Sequence, residues 1–187
     1  MGWAEYTISR MKVSNLSLNG LKLIAPRVFH DERGFFFESY ALGKFVEQEI
    51  AIPFVQDNIS YSKKGTVRAL HFQSHPGQAK LVSCLKGSIW DVAVDIRPDS
   101  PTFGQWEAIL LDDRDRCQLF IPFGFAHGFC VLSEDALVQY KVSSPYHLEA
   151  ERSIRWNDPD LAIPWPIEHP ILSERDRTNA FFKEVFP

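Results

Sequence analysis

The stretch "SIWDVAVDIR", residues 88–97, puts Trp90, Val92, Val94 and Ile96 on one parity and Asp91, Asp95 and Arg97 on the other. Side chains of an extended chain change face at every residue, whereas helical neighbours recur at three and four, so this period of two demands a β-strand. The same alternation returns in "GQWEAILLD" (104–112), "RCQLFI" (116–121), "HGFCVL" (127–132) and "ALVQYKV" (136–142). Turn chemistry separates these runs at Lys86-Gly87, at Pro98-Asp99-Ser100-Pro101, at Pro122-Phe123-Gly124 and at Ser133-Glu134-Asp135. Short strands punctuated in this way predict an all-β sandwich or barrel. One helix is expected over 41–50, where Leu42, Phe45, Val46 and Ile50 recur at helical spacing.

The length, 187 residues, suits one domain spanning 1–187, and 45% hydrophobic residues suffice for a buried core. From about residue 145 to 187 the character changes. Pro145, Pro159, Pro164, Pro166, Pro170 and Pro187 argue for an arm that wraps the barrel rather than for central strands. A net charge of −4 lacks the basic footprint of a nucleic-acid binder. Cys84, Cys117 and Cys130 are odd in number and widely spaced, which argues against a disulfide scaffold and for a reducing compartment. Each reads more simply as a small buried hydrophobe than as a catalytic thiol. The start, "MGWAEYTISRMKV", has charges where a secretory signal needs an apolar run, and Tyr6 stands where myristoylation wants Ser or Thr. No apolar run approaches the ~18 residues of a membrane span. The expectation is a cytoplasmic protein.

The segment "RALHFQSHPGQAKLV" (68–82) brings Arg68, His71 and Lys80 to the ends of what read as paired strands. "GTVRALHFQ" (65–73) has the form Gly-x5-His-x-Gln, and "PFGFAHG" (122–128) the form Pro-x-Gly-x-x-His. Together they resemble the two signature motifs of the cupin superfamily. That resemblance implies a jelly-roll β-barrel of two antiparallel sheets with a few short peripheral helices. Metal-dependent cupins carry His-x-His followed by a glutamate in the first motif. Here Gln73 replaces the second histidine, and no Asp or Glu lies between His71 and Gly87. An amide is a poor ligand for zinc or iron, so no metal is expected at His71 and His127.

The resemblance narrows with "DERGFFFESY" (31–40), "QDNIS" (56–60), "VRALHFQ" (67–73), "AKLV" (79–82) and "GSIWDVAVDIRPDSPTFGQW" (87–106). It continues through "IPFGFAHGF" (121–129), "QYK" (139–141), "ERSIRWNDP" (151–159) and "LSERD" (172–176). In this order they are similar to the dTDP-4-dehydrorhamnose 3,5-epimerase family, from about residue 20 to 180. The resemblance implies a cofactor-independent isomerase. Its substrate would be dTDP-4-dehydro-6-deoxyglucose, inverted at C3 and C5 on either side of the C4 ketone. Such chemistry needs a base, a stabiliser for the enolate oxygen and an acid on the opposite face.

By the same resemblance His71 is the base, and a neutral imidazole suits proton abstraction near pH 7. Asp176 orients it, as a buried acid does in any His–Asp pair. Tyr140 is the acid, and it shares a strand face with Val138 and Val142, which points it into the barrel. Lys80 stabilises the enolate. Arg33 and Arg68 resemble diphosphate contacts, for which a guanidinium fork is fitted. Phe36, Glu38, Gln56, Asp57 and Asn58 lie where the family handles thymidine. Tyr146 resembles the ring stacked on thymine, and His127, Glu151 and Arg175 match further substrate contacts. The family is typically a homodimer with exchanged N-terminal strands, so Arg33, Phe36 and Glu38 are expected to act across the interface. For each residue a structural role competes: core histidine, barrel-filling tyrosine, strand-edge lysine or solvated aspartate.

Arg68 and His71, three residues apart, point to opposite faces of a regular strand, so both reach one ligand only if the strand ends or bulges near 69–71. Ala69 and Phe72 stand where Gly and Tyr are usual in the family, and Phe123 where a small or acidic residue is common. These departures leave open a single-centre epimerase inverting C3 or C5 alone. A metal-dependent cupin enzyme and a non-catalytic sugar- or nucleotide-binding cupin are the more distant readings.

Overall fold

The computed structural model describes residues 11–187, and the expectations about a secretory or acyl signal in residues 1–10 lie outside them. Two antiparallel sheets face one another. The first contains β1 (Lys12–Asn15), β2 (Lys22–Ala25), β5 (Gln56–Lys63), β7 (Lys80–Lys86), β10 (Gln118–Ile121) and β12 (Asp135–Val142). Its order is β1-β2-β10-β7-β12-β5. The second contains β6 (Val67–Gln73), β8 (Ser88–Asp95), β9 (Trp106–Asp112), β11 (Phe125–Val131) and β13 (Glu151–Ser153). Its order is β13-β6-β11-β8-β9. A separate hairpin pairs β3 (Val28–Asp31) with β4 (Gly34–Phe37). The helices are α1 (Leu42–Val46), α2 (Glu174–Thr178) and α3 (Phe182–Val185). This is the all-β jelly roll that the alternation and the two motifs anticipate.

Three apolar layers follow from the alternation. Val82, Cys84, Leu119, Ala136 and Val138 of the first sheet meet Ile89, Ala93, Leu111, Phe129 and Val131 of the second inside the barrel. Val92, Val94, Val67 and Cys130, on the outer face of the second sheet, pack under Ile154, Leu161, Ile163, Trp165 and Phe182 of the C-terminal stretch. Ile24, Leu81 and Phe120, on the outer face of the first sheet, are covered by Phe45 and Ile50. Central strands are therefore buried on both faces. Asp91 and Asp95 are fully buried, although their parity on β8 reads as the polar face. Asp95 accepts bonds from the Arg97 guanidinium and from the hydroxyls of Ser100 and Thr102.

The helix expected over 41–50 is shorter. It ends at Val46 because Glu49 takes φ 63° while Ile50 N–H donates to the Phe45 carbonyl and Glu49 N–H to that of Val46. These two bonds around a left-handed residue are a Schellman stop. Leu42 and Val46 are half exposed rather than sharing the buried face of Phe45 and Ile50. The strand expected from 104 begins at Trp106, since Gly104 has φ 77°, and that from 116 begins at Gln118, since Arg116 has φ 56°. At the β7–β8 turn, Gly87 has φ 81° and a Cβ there would lie 2.2 Å from the Asp135 carbonyl oxygen, so only glycine fits.

The three cysteines are free, with Cys84 and Cys130 buried. Burial pushes their thiols up to about 12 and about 11, which keeps them protonated and unreactive at neutral pH. Among the described residues no helix is long and apolar enough to cross a membrane.

Candidate active site

Antiparallel pairing places His71 of β6 opposite His127 of β11, and Arg68 opposite Phe129. Two steps along β11 thus match three along β6. The extra residue is a bulge, and it turns Arg68 and His71 to the same side. The tension in their spacing is resolved as the sequence requires.

Both side chains line a cavity of about 270 Å³, together with Asn58, Lys80, His127, Tyr140, Tyr146 and Glu151. His71 Nε2 lies 2.6 Å from Asp176 Oδ1. A carboxylate can only accept, so Nε2 is the ring nitrogen that donates, and Nδ1 is the one turned away from Asp176. Asp176 sits in the first turn of α2, behind the Ser173 N-cap whose hydroxyl donates to Asp176 Oδ2 at 2.8 Å. Burial acts to raise this carboxyl, but the bonds from His71 and Ser173 outweigh it and hold it below the ordinary range. The solvated loop charge that Asp176 suggests in the sequence is in fact a buried partner.

Lys80 is 7% exposed, and its Nζ donates to the His71 carbonyl at 3.3 Å. Burial lowers it to about 8, against the pull of Asp91 and Glu151. His127 Nε2 is 2.8 Å from Asp91 Oδ1. Burial moves His127 down despite that neighbour, which keeps it neutral. Burial raises Tyr140, so its phenol holds its proton at neutral pH.

At the cavity mouth, Glu151 Oε2 accepts from Tyr146 Oη at 2.5 Å and from Arg175 Nη1 at 2.6 Å. Burial acts to raise Glu151, but these two donors hold it below its ordinary value. Arg175 also reaches Ser153 Oγ at 3.0 Å. Gln56 donates to Asn58 Oδ1 and accepts from the Tyr146 amide. Arg68 Nε donates to Ser62 Oγ at 3.0 Å.

Four expected residues are elsewhere. Asp57 points to the opposite face of β5 from Gln56 and Asn58, where its carboxylate takes Lys141 Nζ at 2.8 Å, so it does not contact the cavity. Arg33, Phe36 and Glu38 belong to or follow the β3–β4 hairpin and do not line this chain's cavity. Arg33 pairs with Asp31 at 2.5 Å, Glu38 pairs with Lys44 at 2.7 Å, and Phe36 is 69% exposed. Sequence reasoning missed Asp91, because its parity was shared with charged residues. It also missed Gln78 and Phe129, which line the cavity. The adjacency of Phe129 to the Pro-x-Gly-x-x-His motif was an available signal. Gln73 faces neither histidine's carboxylate. Its amide donates to Ser144 Oγ and Pro145 O and accepts from His147 N–H, buttressing the segment that carries Tyr146.

A family model described as dTDP-4-dehydrorhamnose 3,5-epimerase matches residues 15–184. The epimerase of that name from Pseudomonas aeruginosa is 48% identical, over 94% of this chain and 98% of its own. The crystal structure of the Bacillus anthracis enzyme with TDP and PPi bound superposes with a TM-score of 0.90 at 46% identity, covering 92% of this chain and 99% of that one. The Legionella pneumophila epimerase in complex with dTDP-4-keto-L-rhamnose also gives a TM-score of 0.90. It is 47% identical, over 93% of this chain and 94% of its own.

Proposed function

The chain belongs to the dTDP-4-dehydrorhamnose 3,5-epimerase family, and from that premise we propose how its residues carry out the reaction. The enzyme converts dTDP-4-dehydro-6-deoxy-D-glucose to dTDP-4-dehydro-6-deoxy-L-mannose, an isomerisation in dTDP-L-rhamnose biosynthesis. Each inversion removes a proton beside the C4 ketone and returns one from the other face. The oxidation level does not change, so no redox partner is required.

One observation supports these roles above all. His71, backed by Asp176 at 2.6 Å, shares a single cavity with Tyr140 and Lys80. His71 Nδ1 takes the proton, first at one carbon and then at the other. The Lys80 ammonium neutralises the enolate oxygen in a site where burial strengthens the interaction. The protonated Tyr140 phenol delivers a proton from the opposite side. Between the two inversions the His71 imidazolium gives its proton to solvent and the Tyr140 phenolate regains one, so the same pair serves both C3 and C5, which the C4 ketone acidifies alike.

Arg68 holds the diphosphate, Tyr146 stacks on thymine, Asn58 and His127 complete the walls, and Gln56 braces Asn58 and Tyr146. Glu151 and Arg175 hold Tyr146 in place at the mouth. The protein is a homodimer in this reading. The exposed aromatic hairpin with Phe35 and Phe36 reaches the partner's cavity and supplies Arg33, Phe36 and Glu38 there. It is a single cytoplasmic domain whose Pro-rich arm closes the outer face of the second sheet.

The test is incubation with dTDP-4-keto-6-deoxyglucose in D2O, followed by proton NMR. Deuterium at both C3 and C5 is the expected result. Label at one carbon alone would mean a single-centre epimerase, and absence of label would refute the proton-transfer mechanism.

A further inference from the structure

Gln78 belongs to the connection between β6 and β7, two residues before Lys80, and its side chain lines the catalytic cavity. Its amide has a set orientation. Nε2 donates to the Ser144 carbonyl at 2.9 Å, which turns Oε1 away from that carbonyl, and among the described residues no donor meets Oε1. The backbone on both sides is pinned as well. Ser144 Oγ donates to the Gly77 carbonyl at 2.8 Å, and Ala79 N–H donates to Ser143 Oγ at 2.9 Å. Phe123 closes this connection from outside, since a Cβ at Gly77 would lie 3.0 Å from its ring. Gln78 therefore brings an acceptor held by its own amide bond to the lining of the cavity it shares with Lys80.

A 4-keto-6-deoxyhexose joined to diphosphate at C1 keeps two hydroxyls, at C2 and C3. Both are donors. We infer that Gln78 is a specificity residue whose Oε1 accepts a hydrogen bond from one of these hydroxyls. The inference rests on the epimerase reading above and adds a sugar contact to it. A pocket built to bind a hydroxyl discriminates against sugars that lack it, because its own polar group is then left unpaired.

The test compares wild type with Gln78→Leu on three substrates: the parent dTDP-4-keto-6-deoxyglucose and its 2-deoxy and 3-deoxy analogues. Deuterium uptake at C5, which all three retain, is the common readout. The expected result is a 10–100-fold loss of kcat/KM on the parent. On one of the two analogues the ratio of variant to wild type should return to within about threefold of one. An unchanged rate on the parent, or an equal loss on all three sugars, overturns the inference; the second pattern would mean that Gln78 only shapes the wall. If Gln78→Leu does not fold, Gln78→Asn, which withdraws the amide by one methylene, is judged by the same ratios. Failure of wild type to exchange the parent would count against the epimerase reading itself and not against Gln78 in particular.

Discussion

Replacing Lys80 with methionine should stabilise this protein while disabling it. The ammonium is buried in the cavity lining, and among the described residues its one hydrogen bond is to the His71 carbonyl at 3.3 Å. Burial carries it from 10.5 to about 8. The unfolded chain therefore binds more protons than the folded one between these two values, and stability rises with pH across that window. Below about 8 the folded state bears the full cost of the charge, ~3 kcal/mol from the linkage relation at pH 7. At pH 9.5 the residual cost is ~1 kcal/mol. Methionine fills a similar volume without the charge. Lys80→Met should thus gain ~3 kcal/mol at pH 7, or roughly 6–12 °C in Tm for a chain of this size. The gain should shrink by more than half at pH 9.5. Urea titrations of both proteins at the two pH values measure the difference directly. Turnover should fall by ~10²–10³, the usual consequence of losing one group that stabilises a developing oxyanion. In wild type, kcat/KM should decline as pH rises through about 8, where Lys80 loses its charge. A variant no more stable than wild type, or a gain that stays constant with pH, would refute the claim that Lys80 is a buried cation held at a cost for catalysis.

Asp176→Asn should keep the fold and lower kcat by ~10–100-fold in steady-state assays, the equivalent of one charge-assisted hydrogen bond. Tyr140→Phe should still allow His71 to remove and return protons on one face. Deuterium uptake by recovered substrate should therefore persist in NMR while product formation falls at least ~100-fold. Gly87→Ala places a methyl 2.2 Å from the Asp135 carbonyl at φ 81° and should lower Tm, with ~2–4 kcal/mol lost in chemical denaturation.

Much of the fold was legible because strand alternation is a local property. β8, β9, β10, β11 and β12 were all visible, with errors at the ends where Gly104 and Arg116 adopt positive φ. The helix was over-extended because the apolar spacing of Leu42, Phe45, Val46 and Ile50 continues past the point where Glu49 stops it. The site was legible mainly through motif resemblance. His71, Lys80, Tyr140 and Asp176 could be named through that resemblance, but the residue pattern alone reveals the burial of neither Asp91 nor Asp176. Their surroundings come from residues 36 and 105 positions away in the chain.

What the amino-acid order determined by itself is the period of two, the turns between strands and the two motif segments that carry His71, His127 and their neighbours. These depend on backbone geometry and on residues close in sequence. Only the tertiary structure decided which face of each strand is interior. Both faces of β8 are covered, so parity alone could not tell a solvated aspartate from a buried one. It also decided that Arg68 and His71 look the same way, because a bulge exists only in the pairing of β6 with β11. Burial, which moves Lys80 and places Asp176 against His71, is a property of the assembled layers and has no local signature in the chain.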